Sequence, residues 1–168
     1  MKLSFPEMES LFGVLSGLAF LIPFSFFGLF TGKLADVDSL KRKDLLGVLS
    51  IVWSMTTVVS GSTDSFLVFA SMRVLLGVFE SANNPLAYSL IRDLFPPDFR
   101  STAQSIMMSS IYFGGALSSL SIILIHKIGW RGDYQVTGSI GVLSGLLCLF
   151  FLNEPIRGQF DTPQQKQI

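Results

Sequence analysis

Two charged residues and an amide interrupt one long apolar run at helical spacing. Arg73, Glu80 and Asn84 lie within residues 66–91, with Gly77 between the two charges. Since an α-helix has 3.6 residues per turn, Arg73 and Glu80 are two turns apart on one face, and Asn84 follows one turn later. A guanidinium can hold an anion or a carboxylate, and a carboxylate can bind a proton. The spacing predicts an anion- and proton-binding stripe, or a structural role in which Arg73 forms a static pair with Glu80 or binds a residue of a helix outside this chain. Pro85, directly after Asn84, can bend the helix.

The elements that must position this stripe are strongly apolar. The 168 residues are 49% hydrophobic and 14% charged and include 16 Phe, whereas soluble domains carry about 25% charged residues. Runs such as GLAFLIPFSFFGLF are apolar on every face, which favours membrane helices over the alternative of a soluble bundle with buried helices. We therefore predict an all-α fold, a polytopic membrane helical bundle. Ionisable residues inside such helices are expensive and usually functional.

A helix needs roughly 20 apolar residues to cross a bilayer core about 30 Å thick. Five transmembrane helices are predicted, over residues 11–31, 45–60, 66–91, 102–125 and 134–152, between an external segment 1–10 and a cytoplasmic tail 153–168 that we expect to be disordered. Small residues recur at four-residue spacing and predict close helix packing. They are Gly13 and Gly17, Gly28 and Gly32, Gly141 and Gly145, and Ser110, Gly114 and Ser118.

Basic residues in the loops predict the orientation, because cytoplasmic loops carry an excess of them. One side of the five-helix arrangement holds most of the basic residues, which puts the amino terminus outside and the carboxyl terminus in the cytoplasm. The cytoplasmic set is Lys33, Lys41, Arg42, Lys43, Arg92, Arg100, Arg157 and Lys166, and the outer set is Lys2, Lys127 and Arg131.

Several function classes find no support in the sequence. A single cysteine, Cys148, excludes an intrachain disulfide and a cysteine metal cluster. His126 is the one histidine, and a solvated interfacial role is favoured over a proton relay. No phosphate-binding glycine loop, metal-ligand set or activated nucleophile occurs, so we expect no enzyme, no cofactor and no nucleic-acid partner. Trp53, Trp130 and Tyr134 fit an aromatic belt or helix packing better than a substrate cage.

The stretch FTGKLADVDSLKRKDLLG, residues 30–47, concentrates charge between the first two predicted helices. Gly32 would let two helices approach closely near the membrane face. Asp36 lies near the interface and needs a partner if it is buried. Lys41 and Arg42, with the lysine after them, would bind anionic lipid headgroups. The alternative is a solvated turn whose charges only set topology.

Four segments of the chain together resemble the major facilitator superfamily of secondary transporters. GKLAD followed by KRK resembles the pattern G-x-L-A-D-R-x-G-R-R/K, with Val37 at a basic position and a spacer one residue longer. RVLLGVFESANNP, 73–85, resembles the fourth helix of the family, and IRDLFPPDFRSTAQSI, 91–106, resembles the connection to the fifth. IGWRGDY, 128–134, resembles the external turn before the sixth. The order of these residues is most similar to the spinster branch, which moves lysolipids or sphingoid lipids.

The resemblance implies that residues 11–152 are helices two to six of a partial amino-terminal half, in a twelve-helix fold that works by alternating access. It implies transport of a small organic or lipid-like solute, with proton coupling as a further expectation. A gating motif would comprise Gly32, Asp36, Lys41, Arg42, Asp93 and Arg100, with Asp36 paired to Arg100.

Membrane lipid, the solute and the missing half of the transporter are the expected partners. The alternative is a membrane scaffold or regulatory half-transporter that moves nothing. Plasma and endolysosomal membranes both remain open as locations.

Overall fold

The computed structural model describes residues 6–35 and 41–160 and places six helices in those ranges. No strand occurs in the described ranges. The helices are α1 (Pro6–Ala35), α2 (Arg42–Ser62), α3 (Phe66–Glu80), α4 (Asn83–Leu94), α5 (Pro97–Ser118) and α6 (Ser121–Phe151). The predicted all-α fold is confirmed.

Glycines bring the backbones of α2 and α6 together. A Cβ added at Gly145 would lie 2.7 Å from the Ile51 side chain and 3.0 Å from the carbonyl oxygen of Gly47. One added at Gly138 would lie 2.9 Å from the carbonyl oxygen of Ser54. Because apolar burial drives helix association only weakly in lipid, such close backbone approach is a principal source of packing energy. The close packing predicted around residues 141–145 is confirmed.

The same prediction is wrong for α1 and α5 within this chain. A Cβ added at Gly13, Gly17, Gly28, Gly32 or Gly114 would meet no atom within 4 Å. Gly32 therefore does not bring two described helices into contact. Four-residue spacing alone does not distinguish a packed glycine from a glycine that faces outward.

The third predicted helix bends where Pro85 lies. Proline has no backbone N–H, and its ring crowds the carbonyl four residues earlier, which here belongs to Ser81. α3 ends at Glu80 and α4 begins at Asn83, on either side of that carbonyl. The Thr31 hydroxyl of α1 lies 3.3 Å from the Ser81 carbonyl oxygen and 3.2 Å from the carbonyl oxygen of Gly28, and it can donate to either. The helix is therefore interrupted at the carbonyl that Pro85 frees, within reach of a donor on a neighbouring helix.

Four helical stretches in the described ranges are long and apolar enough to cross a membrane: Ser16–Lys33, Arg42–Ser62, Phe66–Leu94 and Ser121–Phe151. α5 lies between the third and fourth of these, and no residue of α5 is buried. Its serines and its glutamine make it less apolar than the others. α5 lies where the fourth of the five predicted membrane helices was expected, but its composition is not apolar enough to place it among the four candidate membrane spans.

Some expected boundaries differ from the structure. The predicted helix 102–125 is interrupted, because α5 ends at Ser118 and α6 begins at Ser121. The expected external turn 128–134 is reduced to Gly129, whose φ of 75° lies in the region that glycine alone adopts easily. Residues 6–10, expected in the external segment, belong to α1, whose first residue is a proline, as helix starts allow.

The expectation of a disordered tail is wrong for residues 153–160. Glu154 and Gly158 bind buried charged residues of α2 and α4, as described below, and those contacts order the backbone. The rest of the predicted tail, 161–168, lies outside the described residues.

Candidate functional site

The first charged cluster lies where α2 begins and where α4 and α6 end. Arg42 and Asp93 are both completely buried, and Nη1 of Arg42 donates to Oδ2 of Asp93 at 2.6 Å. The same nitrogen donates to Oγ of Ser89 at 2.8 Å, and Nε donates to Oε1 of Glu154 at 3.0 Å. The backbone N–H of Gly158 donates to the other carboxylate oxygen of Asp93 at 3.2 Å. We refer to Arg42, Ser89, Asp93, Glu154 and Gly158 as the Arg42 cluster.

The Arg42 cluster also closes two helix ends. The first N–H groups of a helix have no intrahelical partner, and Oε2 of Glu154 accepts the N–H of Lys43 at 2.8 Å. The Lys43 ammonium donates in turn to the carbonyl oxygen of Leu149 near the end of α6, at 3.2 Å. A carboxylate at the start of a helix and an ammonium at the end of another both suit the helix dipoles. Three helices and the segment after α6 are therefore joined at one end of the bundle.

The structure brings together two of the predicted gating residues, Arg42 and Asp93. Lys41 precedes α2 and is exposed. Nε of Arg100 donates to the carbonyl oxygen of Phe95 at 3.2 Å, in the connection from α4 to α5. Asp36 lies outside the described residues, so its pairing with Arg100 stays a prediction.

Three members of the cluster were not predicted from the sequence: Ser89, Glu154 and Gly158. The signal available for Glu154 was an acidic residue directly after the last apolar run, in the segment that we expected to be disordered. Ser89 and Gly158 gave no comparable signal, because their positions next to Arg42 and Asp93 depend on tertiary contacts.

The second site surrounds Arg73 in the middle of α3. The guanidinium carbon lies 5.1 Å from the ring centroid of Phe69 and 5.1 Å from that of Tyr134. Nη2 of Arg73 donates a hydrogen bond to the Tyr134 hydroxyl. Trp130 meets both rings edge-on, with centroids 6.4 Å from Phe69 and 6.0 Å from Tyr134. We call Phe69, Trp130 and Tyr134 the aromatic box.

The predicted stripe does not form a single cluster. Arg73 turns toward α6, and no ion pair joins it to Glu80, although the structure describes both residues. The static pair considered from the sequence is therefore absent. Glu80 is half-buried at the last residue of α3, and Asn84 is exposed beyond the bend, on α4. Gly77, between the charges, packs against the α1 backbone at Phe20.

Arg73 keeps hydrogen-bonding capacity that no described group uses. Its Nε is buried and has no hydrogen-bond partner. The aromatic faces offer a cation–π attraction, which weakly compensates a charge removed from water. The Arg73 guanidinium can bind an anion through the edge formed by Nε and Nη2. Two parallel N–H···O hydrogen bonds from that edge are the strongest arrangement for binding carboxylates, sulfonates and phosphates.

A smaller polar contact lies at the opposite end of α2 and α6 from the Arg42 cluster. Arg131 pairs with Asp64 and stacks on Trp130, with its guanidinium carbon 5.1 Å from that ring centroid. The Gln135 amide donates to the Ser62 hydroxyl at 3.4 Å. Arg131 is half-buried and the other side chains are exposed, so the contact is partly screened and stabilises less than the buried cluster.

Known proteins resemble the chain in sequence and in structure. A probable sulfoacetate transporter, SauU, of Cupriavidus necator is 30% identical over 137 residues, which is 81% of this chain and 31% of that protein. The sphingosine-1-phosphate transporter SPNS2 of Danio rerio is 28% identical over 130 residues, 75% of this chain and 26% of that protein. The chain thus spans about a quarter to a third of these relatives.

A solved structure shares the fold. The crystal structure of a bacterial homolog to the human lysosomal transporter Spinster, inward-facing and occupied, superposes with a TM-score of 0.70 at 28% identity, covering 88% of this chain and 38% of that one. The predicted resemblance to the spinster branch is therefore confirmed. The sequence model of the Major Facilitator Superfamily matches residues 3–167. With nearly the whole chain matched and its helices arranged as in a solved relative, this multi-pass membrane protein belongs to the Major Facilitator Superfamily.

Proposed function

We propose that the chain forms part of a secondary transporter that moves a small organic or lipid-like anion across a membrane by alternating access. The observation that carries the proposal is Arg73, a charge within a membrane helix. Its Nε is buried without a partner among the described residues, and, unlike Arg42 and Arg131, it has no ion pair there. The relatives support an anion, since sulfoacetate and sphingosine 1-phosphate, the compounds in their names, both carry acidic groups. A probable galactarate/D-glucarate transporter of Escherichia coli is a further relative, 29% identical over 111 residues, which is 62% of this chain and 25% of that protein.

Arg73 would bind the acidic group of the solute. A charged side chain at membrane depth is unfavourable unless another charge or a polar group compensates it. Its described contacts are two aromatic faces and one hydroxyl, which are all neutral. Glu80 attracts Arg73 without forming an ion pair with it. An anion would therefore supply the direct compensation that the described residues lack, and a hydrophobic tail on the solute would suit the apolar surroundings.

Glu80 and Asn84 would complete the solute and proton site. The Glu80 carboxylate has no ion-pair partner among the described residues, so a proton can neutralise it. Binding of the anion at Arg73 would reduce the attraction between Arg73 and Glu80 and favour that protonation. The exposed Asn84 amide can donate and accept hydrogen bonds on the far side of the bend.

The gating motif would be the Arg42 cluster together with Gly32, Asp36, Lys41 and Arg100. Alternating access rocks one helical unit against another around a fixed site. The cluster keeps the ends of α2, α4 and α6 together, so these helices would move as one body. Asp36 and Arg100 would bind across the edge of that body in one of the two states.

Transport needs partners beyond this chain, because the chain spans about a quarter to a third of its relatives. The expected partner is the rest of the transporter. A second candidate function, a non-transporting scaffold or regulatory half-transporter, is favoured by α5, in which no residue is buried. Such a surface would suit a chain that works by associating with other membrane helices.

The test is uptake of labelled sulfoacetate, and separately of sphingosine 1-phosphate, into proteoliposomes. The chain is reconstituted alone and together with the portion of a relative that the match leaves uncovered. We expect flux in the combined sample, and we expect Arg73→Gln and Glu80→Gln to abolish it. Lys127→Gln is the matched control, since Lys127 is also a basic residue of α6 but is exposed.

Normal flux in both Arg73→Gln and Glu80→Gln would refute the proposed site. Absence of flux in every sample, together with binding of the chain to the relative, would favour the scaffold.

A further inference from the structure

We infer that Tyr134 is a positioning residue, which holds Arg73 in the aromatic box when no anion is bound and so weakens the binding of anions at Arg73. The inference rests on the proposed role of Arg73 as the anion-binding residue. From the sequence, Tyr134 was expected in an aromatic belt or in helix packing. Its hydrogen bond to Arg73 gives it a more specific role, which is to position that side chain.

Tyr134 occupies part of the guanidinium edge at which Arg73 would bind an anion. Nε and the adjacent Nη2 form the edge that binds an oxyanion through two parallel hydrogen bonds. Nη2 of Arg73 already donates to the Tyr134 hydroxyl, whereas Nε has no partner. An anion that takes both nitrogens must therefore displace the hydroxyl. Tyr134 and the anion compete for the same N–H group.

The Tyr134 ring is fixed by its surroundings. Gly61 of α2 holds the base of the side chain, since a Cβ added there would lie 2.7 Å from Cβ of Tyr134. Trp130, one turn earlier on α6, packs edge-on against the ring. Arg73, by contrast, has a long flexible side chain. When the two separate, Arg73 is therefore the group that moves.

If Tyr134 competes with the anion, removing its hydroxyl should increase the affinity for anions, whereas loss of an ordinary packing contact should not. If only a fraction of molecules has Arg73 free, the apparent dissociation constant is the intrinsic constant divided by that fraction. Tyr134→Phe removes the hydroxyl and keeps the ring. Because hydrogen bonds to charged groups are among the stronger ones, we expect the variant to bind anions about tenfold more tightly. Loss of a purely structural contact would weaken binding or leave it unchanged.

Trp130 offers a direct optical readout. The chain contains two tryptophans, so Trp53→Phe leaves Trp130 as the single reporter beside the box. The protein is placed in lipid nanodiscs and titrated with butyl phosphate, with uncharged butanol as the control ligand. We expect butyl phosphate to change the emission of Trp130 as Arg73 leaves the box, with a dissociation constant about tenfold lower in Tyr134→Phe. Tyr112→Phe, on the exposed surface of α5, is the matched control and should bind as the parent does.

The outcomes separate the inference from the proposed function. If Arg73→Gln binds butyl phosphate as the parent does, the proposed anion site is wrong and the inference falls with it. If Arg73→Gln loses binding while Tyr134→Phe binds equally or more weakly, only the inference is wrong. Phe69→Leu weakens the box from its other wall. It should tighten binding as well, which keeps the test decisive should Tyr134→Phe fold poorly.

Discussion

Two arginines of this bundle occupy opposite electrostatic situations. Arg42 is completely buried and lies within 3.0 Å of two carboxylates. Arg73 is half-buried, lies against two neighbouring aromatic rings and has no carboxylate within ion-pairing distance among the described residues. The first arrangement compensates the charge within the protein and suits a fixed anchor. The second leaves the positive charge of Arg73 without a carboxylate partner among the described residues, which suits a binding site for an anion.

The largest effect should come from Arg42→Gln, which breaks the anchor. Removing one member of a buried ion pair leaves the other charge buried and unpartnered, so we expect the variant to lose about 3–5 kcal/mol of stability toward unfolding. Denaturant unfolding of the purified protein in detergent micelles measures the change. Lys41→Gln, at the exposed neighbouring position, is the control and should change stability by less than about 0.5 kcal/mol. Equal losses in the two variants would show that burial of Arg42 is unimportant.

A smaller effect is expected from Glu154→Ala, which removes the contact between the segment after α6 and the anchor. The variant loses the bond to Nε of Arg42 and the cap on α2, and a helix cap alone contributes about 0.5–2 kcal/mol. Glu154→Gln keeps an acceptor oxygen and should recover part of the loss. Proteolysis after residue 152 offers a second measurement, and faster cleavage should accompany Glu154→Ala. Unchanged stability and cleavage would mean that residues 153–160 do not support the cluster.

The smallest effect should come from Thr31→Val, at the bend that separates the two arginine sites. The variant removes the donor to the Ser81 carbonyl, and hydrogen bonds between membrane helices average about 0.6 kcal/mol. Thr31→Ser retains a hydroxyl and should behave as the parent does in the same unfolding measurement. A loss above about 2 kcal/mol in Thr31→Val would indicate that the bend stabilises the bundle far more than one hydrogen bond can.

Sequence patterns predicted the parts of this molecule that depend on local chemistry. Apolar run length predicted the helices, and Pro85 predicted the bend, since proline acts on a carbonyl four residues away whatever surrounds it. Arg42 and Asp93, two residues of the expected gating motif, lie in contact, although their pairing with each other was not predicted. These features follow from hydrophobic periodicity, backbone geometry and a motif.

The remaining features depend on which helix faces which. Arg73 and Glu80 share a helix face, yet Arg73 binds Tyr134 on a helix that begins 41 residues after α3 ends, and spacing within one helix cannot reveal that contact. Glycines at identical spacing pack in α6 and face open space in α1. Glu154 looked like part of a polar tail until its partner Arg42 was located.

The central claim is that Arg73, unlike Arg42, needs an anion to compensate its charge. The most direct test is the melting temperature of the wild-type protein and of Arg73→Gln, each measured with and without saturating sulfoacetate. A ligand that binds only the folded state raises the melting temperature, so we predict a rise in the wild type and none in Arg73→Gln. Equal rises in both proteins would contradict the account.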